Sequence, residues 1–331
     1  MKLSALDLSP IASGSNAHDA LERTLDLARH VESLGFARYW LAEHHNAAWV
    51  ASSAPEIVIG QVARVTKSIR VGAGGIMLPN HAPLKVAELF RVLSGFFPNR
   101  IDLGIGRAPG TDPRTARALR RGAPEMDFDA ALDELTRLLE PEDESPRPAF
   151  ATSTIAIPIG VPAPEIFMLG SSDGGVAYAA KRGLPYAFAH HINPRDAIAM
   201  MQRYRASFVP NAKRAKPYAI LAVAVATAER EHDARVLERG ADLVMVRFAR
   251  GLRDLPTPSE EEASAYVFDD DDLALRDAMR GRFFVGPIDR VASELRALVH
   301  DTLADELMIL SSVHDHEKRK NVYTLLRDAL G

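Results

Sequence analysis

The sequence lacks cysteine and any long apolar run, and each absence removes a class of function. Without cysteine in its 331 residues, the chain has no disulfide bonds, thiolate metal sites or thiol catalysis. No apolar stretch reaches the roughly 18 residues that a membrane-spanning helix needs. The residues after Met1 do not read as a signal peptide. We therefore expect a cytoplasmic protein that does not enter a membrane.

A strong excess of one charge is also missing. The chain has 40 Lys and Arg residues against 44 Asp and Glu residues, with a net charge of −4. Nucleic-acid binding needs a concentrated basic face, so we expect none. Hydrophobic residues make up 47% of the chain, which is enough for a large core and typical of a soluble globular protein.

What the sequence does contain is a regular alternation of short apolar runs and longer amphipathic stretches. The candidate strands are Leu3–Leu8, Phe36–Ala42, Ile69–Leu78, Ile101–Gly106, Ile166–Leu169, Leu184–Ala189, Tyr218–Thr227 and Leu307–Leu310. Each is followed by a candidate helix, and this pattern predicts an α/β fold, a (β/α)8 TIM barrel in a single domain over residues 1–331. The rival open sheet has a glycine-rich turn after its first strand. Ser9-Pro10-Ile11 stands there instead, which favours the barrel.

Two stretches interrupt the alternation and predict insertions after strands four and seven. Ala108–Pro164 contains one candidate helix, Phe128–Leu139, and a stretch rich in Thr, Ile and Val, Thr152–Val161, that we expect to form a hairpin. Ala249–Arg282 is polar and acidic, and we interpret it as a partly mobile excursion that serves as a lid.

Catalytic side chains in such barrels collect at the carboxyl ends of the strands. Strand two is followed by Glu43-His44-His45-Asn46, where adjacent side chains point to opposite faces. At most one of the two histidines therefore faces the mouth directly. Strand three contains Gly72, Gly74 and Gly75, which indicate either a flat ring laid against the main chain or tight packing within the barrel.

Strands four to six supply further polar groups at the same rim. Strand four ends at Arg107, whose planar fork suits a phosphate. Strand five ends with Gly170-Ser171-Ser172 immediately before a helix, a place where backbone N–H groups bind anions. Alone this turn is only a helix cap, but with Arg107 it becomes a candidate phosphate site. Strand six ends at His190 and His191.

A metal site is the natural alternative at this rim because several histidines approach it. These are His44, His45, His81, His190 and His191. Metal-dependent hydrolase barrels usually carry two histidines after strand one, where this chain offers only Asp7. We therefore predict no metal.

Four segments together resemble the bacterial-luciferase-like family of flavin-dependent monooxygenases. They are Trp40–Asn46, Val71–Glu88, Arg100–Asp112 and Leu169–Pro185. The resemblance extends along the whole chain. Its Gly-Arg-Ala-Pro-Gly-Thr-Asp segment is similar to the uncharacterised oxidoreductase branch of the family rather than to the light-emitting enzymes.

The resemblance implies a TIM barrel that binds FMN, supplied as FMNH2 by a separate flavin reductase, and that uses O2 on a small organic substrate. His44 matches the catalytic histidine of the family. We expect it to act as the acid/base with an ordinary pKa near 6.5, oriented by Glu43 or Asp7. His45 is expected to be structural.

The resemblance also implies which residues bind the cofactor. The expected set is Gly74, Gly75, Ile76 and Met77 under the flavin ring, Arg107, Gly170, Ser171 and Ser172 at its phosphate, and His190 against the ring. Gly75-Ile76 matches a strand-three bulge where the family often has a non-prolyl cis peptide. Gly106 replaces the reactive cysteine of luciferase, and His190 replaces a tryptophan, which argues against an aldehyde substrate.

Two other functions remain open at this stage. Some relatives use a deazaflavin for hydride transfer without O2, and a flavin-binding protein without catalysis is the third possibility. Relatives also pair through the helices after strands two and three. The apolar stretches Ile57–Val65 and Leu84–Phe96 are compatible with such a homodimer, although core packing explains them equally well.

Overall fold

The computed structural model describes residues 1–121, 126–140, 154–252 and 254–331. Within these residues nine strands form one parallel sheet: β1 (Lys2–Asp7), β2 (Arg38–Leu41), β3 (Arg70–Met77), β4 (Ile101–Gly106), β5 (Glu165–Gly170), β6 (Tyr186–Ala189), β7 (Ala219–Ala228), β8 (Phe283–Pro287) and β9 (Glu306–Leu310). The strand order is β6-β5-β4-β3-β2-β1-β9-β7-β8, and β6 also pairs with β7. That last pairing closes eight strands into a barrel, so the predicted fold is confirmed.

Helices connect the strands, as a parallel barrel requires. They are α1 (Ala17–Ser33), α2 (Pro55–Val65), α3 (Pro83–Phe96), α4 (Pro113–Leu119), α5 (Phe128–Leu139), α6 (Asp173–Arg182), α7 (Ala197–Ser207), α8 (Glu231–Ala249), α9 (Glu260–Ala265), α10 (Asp270–Met279), α11 (Ile288–Thr302) and α12 (His316–Leu330). Among the residues described, no helix combines the length and the apolar character needed to cross a membrane.

The ninth strand, β8, was not predicted. β7 is long enough to pair with β6 and β9 through residues 219–224 and with β8 through residues 224–228. β8 therefore pairs with the end of β7 that extends beyond β6. Its sequence, Phe-Phe-Val-Gly-Pro, is a very short apolar run that follows a polar stretch directly, so periodicity gives no signal.

The two predicted insertions lie where expected, with differences inside them. Helix α5 has the predicted bounds, whereas α4 was missed. Within the predicted hairpin, residues 154–161 form no strand, and residues 152 and 153 lie outside the described residues. The excursion after β7 contains α9 and α10, which begin with capping boxes at Ser259 and Asp269.

The barrel interior is filled by alternate residues of the strands. They are Leu6, Trp40, Ala42, Phe167, Ala187, Ile220, Ala222, Ala224, Met308 and Leu310. On the amino side of this cluster, Asp102 accepts hydrogen bonds from Trp40 Nε1 at 3.0 Å and from Arg38 Nη1 at 2.7 Å. Trp40 is fully buried, so it lies inside the barrel rather than at the mouth.

Candidate active site

His44 lies at the carboxyl end of β2, on the face that lines the barrel interior. Trp40 and Ala42 belong to the interior cluster, and the two-residue period of a strand continues that face to His44. The ring is partly buried, and its centroid is 5.8 Å from that of Trp49. Its Nδ1 is buried and has no hydrogen-bond partner within the described chain.

Burial lowers the pKa of His44 below its usual 6.5, against an opposing effect of the Glu43 carboxylate. The expectation of an ordinary pKa is therefore wrong. Because the shift favours the uncharged form, His44 is a neutral imidazole at pH 7. Such a ring can accept a proton at one nitrogen and donate from the other.

Glu43 points away from His44 and holds the end of β3. Its carboxylate hydrogen-bonds the ring Nε2 atoms of His45 at 2.8 Å and His81 at 2.9 Å, and it accepts from the backbone N–H of Met77 at 2.8 Å. Burial raises the pKa of Glu43, but these hydrogen bonds and the charge of His81 outweigh burial and lower it. The pKa of His81 is raised by the same pairing, despite its own burial. The structural role expected of His45 agrees with this contact.

Asp7, the other residue expected to orient His44, is committed to a buried ion pair. It accepts from Arg319 Nη2 at 2.6 Å, from Thr24 Oγ1 at 2.8 Å and from the backbone N–H of Ser9 at 2.8 Å. These contacts attach α12 and the first loop to the end of β1. Neither predicted partner of His44 therefore contacts it, and both assignments are wrong.

Strand β3 carries the predicted bulge. Its register against β4 shifts between Ala73 and Ile76, and the peptide bond between Gly74 and Gly75 is cis, one residue earlier than expected. A Cβ at Gly74 would lie 2.9 Å from Leu6 Cδ1, and one at Gly75 would lie 2.7 Å from the carbonyl oxygen of Gly104. Packing within the barrel is thus sufficient to require both glycines.

Met77, at the end of β3, covers the end of β4. A Cβ at Gly106 would lie 2.6 Å from Met77 Cε, and one at Gly110 would lie 2.8 Å from Met77 Cγ. A larger side chain at Gly106 would therefore require the flexible end of Met77 to move. This part of the mouth is shaped by a thioether side chain in place of a thiol.

Arg107 lies against the amino terminus of α6. A Cβ at Gly174 would be 2.4 Å from Arg107 Nη1, so the guanidinium rests directly on the first turn of that helix. Ser172 is the N-cap, but its side chain makes no capping hydrogen bond. Arg107 and Ser172 are both exposed. The structure thus brings Arg107, the turn Gly170–Ser172 and a helix amino terminus together, which is the arrangement of an anion site.

The two histidines after β6 have different contacts. β6 ends at Ala189, and both histidines lie in the turn that follows it. His190 is buried beside Phe284, at 5.3 Å between ring centroids. Burial, with the neighbouring histidine, lowers the pKa of His190 to about 4.

His191 is the member of this pair whose pKa is affected by His44. Burial lowers its pKa to about 4, and the charge of His44 contributes, which requires the two rings to be near each other. Its Nδ1 hydrogen-bonds the carbonyl oxygen of Ala222 at 3.2 Å. The assignment of His190 against the flavin ring stays a prediction.

The loops around His44 are joined to the excursion after β7. The backbone N–H of Ile11 donates to the carbonyl of Trp49 at 2.8 Å, and that of Thr257 donates to Ile11 at 3.0 Å. Ser13 N–H donates in turn to Thr257 at 2.8 Å. The start of the excursion is therefore anchored beside Trp49, which contacts the ring of His44.

A closed parallel barrel with polar side chains collected at its carboxyl end is the arrangement of the TIM-barrel enzymes. The family model for luciferase-like monooxygenases matches residues 1–306, and the chain belongs to this family. It is 38% identical to the uncharacterised protein YvbT of Bacillus subtilis, covering 98% of this chain and 96% of that protein. It is 37% identical to a luciferase-like monooxygenase of Escherichia coli, again covering 98% and 96%.

Solved structures give the same result. The crystal structure of apo-MsnO8 aligns with a TM-score of 0.90 at 35% identity, covering 99% of this chain and 98% of that one. More distant structures share the fold alone. One is an oxygenating constituent of 3,6-diketocamphane monooxygenase in complex with FMN, at 20% identity and a TM-score of 0.69. Another is an F420-dependent secondary alcohol dehydrogenase, at 12% and 0.68.

Proposed function

We propose that this chain is an FMN-dependent monooxygenase that takes FMNH2 from a separate reductase and uses O2 to oxidise a small organic molecule. The observation that carries the proposal is the position of the Arg107 guanidinium on the first turn of α6, beside Ser171 and Ser172. An FMN phosphate fits this arrangement because it would receive charge-assisted hydrogen bonds from the guanidinium and from unpaired backbone N–H groups.

The flavin ring is assigned to the end of β3, on Gly74, Gly75, Ile76 and Met77. The bulge at Ala73–Ile76 displaces the main chain there, and Glu43 fixes Met77 through its backbone N–H. When bound in reduced form, FMN supplies the electrons that activate O2. The barrel and the excursion exclude water from the reacting centre.

His44 is proposed as the residue that moves a proton at this centre. Its buried Nδ1 lacks a partner within the described chain, and burial keeps the ring neutral. It can therefore take up a proton without first losing one. His191, whose pKa is affected by His44, is proposed to lie against the ring in the role that the sequence gave to His190.

The chemistry of one relative is consistent with this function. A Bacillus subtilis protein named N-acetyl-S-alkylcysteine monooxygenase is 32% identical, covering 100% of this chain and 98% of that protein. We extend to this chain only the reaction class, oxygenation of a small organic molecule, and not that substrate.

A homodimer through α2 and α3 is also proposed. Ile57 on α2 and Phe96 on α3 are large apolar residues that are 66% and 68% exposed. A partner subunit would remove this surface from water. A sedimentation mass of one chain at micromolar protein concentration would refute the dimer.

The cofactor is tested by titrating the flavin-free protein, under anaerobic conditions, with FMNH2 and with a reduced F420-type deazaflavin. We expect FMNH2 to bind more tightly, with quenching of the fluorescence of Trp40 and Trp49. If the protein prefers the deazaflavin and oxidises alcohols in the absence of O2, its reaction is hydride transfer and the proposed function is wrong. Tight binding of oxidised FMN with no turnover under any reductant would indicate a flavin-binding protein instead.

A further inference from the structure

A pocket lies at the barrel mouth between α8 and strands β7, β8 and β9. Its floor is formed by Ala224, Leu310 and Phe283, and its roof by the face of α8 that carries Leu237, Gly240 and Val244. Ala224 and Leu310 also belong to the interior cluster that includes Trp40 and Ala42. The pocket therefore shares two of its lining residues with the barrel interior.

The position of the pocket separates it from the phosphate site. The phosphate site lies after β4 and β5, whereas the pocket lies on β7 and β9, which come almost opposite in the closed strand order. An FMN with its phosphate at Arg107 and its ring over β3 would leave the β7–β9 side of the mouth free. That side is where a second molecule has room beside the cofactor.

Gly240 keeps this pocket deep. It lies within the 19-residue helix α8, and a Cβ built on it meets nothing within 4 Å. Glycine inside a helix costs about 1 kcal/mol relative to alanine. An alanine would fit here, unlike at Gly74 or Gly75, so packing does not require this glycine. Its effect is to leave open space in the roof of the pocket.

The charged groups at the rim of the pocket already have partners. Glu260 forms an ion pair with Lys318, and His314 Nε2 hydrogen-bonds the carbonyl oxygen of Ser13 at 2.9 Å. The walls are formed mainly by alanine, valine, leucine and phenylalanine. Among the described lining residues, a charged ligand group would find no free counter-charge to offset its desolvation, which is costly.

We propose that this pocket holds an uncharged aliphatic portion of the substrate and that Gly240 sets how long that portion can be. The proposal rests on the proposed function, because it assumes a substrate beside the flavin. Gly240 is thus a specificity-determining residue that contacts the substrate chain.

The test measures binding of straight-chain primary alcohols, from butanol to decanol, to the FMN-loaded protein by isothermal titration calorimetry. Each buried methylene contributes about 0.8 kcal/mol, so Kd should fall about fourfold per added carbon until the pocket is full. Hexanoate, which adds a charge to a six-carbon chain, should bind at least tenfold more weakly than hexanol.

Three variants then test whether the alcohols bind in this pocket. Gly240→Leu should fill the pocket and weaken octanol binding at least tenfold, while Gly240→Ala, the matched control, should change it by less than fourfold. Val244→Ala enlarges the pocket and should move the chain length at which Kd stops improving to a longer alcohol. The Kd for FMN should be the same in all three proteins.

Equal octanol affinity in wild type, Gly240→Leu and Val244→Ala would overturn the proposal, as would tighter binding of hexanoate than of hexanol. These outcomes are distinct from failure of the proposed function. Alcohol binding that responds to Gly240 in a protein that does not react with O2 would support the pocket and refute the monooxygenase. A protein that reacts with O2 but does not bind the alcohols would support the monooxygenase and refute the pocket.

Discussion

The phosphate site can be tested without knowledge of the substrate, because riboflavin is FMN without its phosphate. Arg107 touches the first turn of α6 at Gly174, and a Cβ there would be 2.4 Å from Nη1. Two substitutions disturb this contact in different ways. Arg107→Ala removes the cation, whereas Gly174→Ala keeps it and displaces the guanidinium, which is the flexible end of its side chain.

The expected size of the effect follows from the chemistry of the contact. A hydrogen bond to a charged group contributes about 1.5–3 kcal/mol, and about 1.4 kcal/mol corresponds to a factor of ten in Kd. Arg107 is exposed in the flavin-free protein, so solvent screening places the effect near the lower limit. We expect Arg107→Ala to weaken FMN binding roughly tenfold to thirtyfold and Gly174→Ala to weaken it less.

The assay is fluorescence titration of each flavin-free protein with FMN and, separately, with riboflavin. The riboflavin Kd should stay within about twofold in both variants, and Arg235→Ala, an exposed arginine on α8, should change neither Kd. The FMN Kd of wild type should also rise with salt, because the contact is electrostatic. Equal weakening of FMN and riboflavin by Arg107→Ala would show that Arg107 stabilises the fold or the ring site and not the phosphate.

Two further predictions concern buried charge. Glu43→Ala leaves the Met77 N–H and the His81 ring without their acceptor, so it should lower the free energy of unfolding by about 1–3 kcal/mol in urea denaturation. Glu43→Gln should recover part of this loss. No loss in Glu43→Ala would contradict the assigned network. His190, with a pKa lowered to about 4 in the fold, binds its proton more readily when unfolded, so stability should fall as pH drops from 6.5 towards 4. At about 1.4 kcal/mol per pKa unit, this loss of stability approaches roughly 3 kcal/mol. His190→Phe should reduce the loss, whereas His18→Gln, at an exposed histidine, should not. An unchanged pH profile in His190→Phe would refute the reasoning.

The sequence predicted the closed barrel because its eight barrel strands are short apolar runs separated by stretches with a helical period. Helix α5 shows this best, with the predicted bounds Phe128–Leu139. Helix α4 was missed although Asp112 and Pro113 are strong signals for a helix start. β8 could not be found, because it depends on pairing with the extended end of β7 and not on its own sequence.

For the candidate site, the sequence indicated which residues meet at the mouth but not how they interact. Glu43 pairs with His81, 38 residues further along the chain, and no local pattern reveals that contact. The lowered pKa of His44 depends on burial beside Trp49 and the loops, which only the folded chain provides. The different contacts of His190 and His191 depend on the turn after β6, which no local pattern predicts.

The central claim is that this chain binds FMNH2 and that His44 controls the protons in its reaction with O2. The most direct test mixes the anaerobic complex with oxygenated buffer in a stopped-flow spectrometer and follows the return of oxidised flavin. We predict that the wild-type complex gives a time course that differs from that of free FMNH2. In His44→Gln that time course should change while the FMN Kd stays within about twofold. A time course identical to that of free FMNH2 at saturating protein, or one unaffected by His44→Gln, would contradict the account.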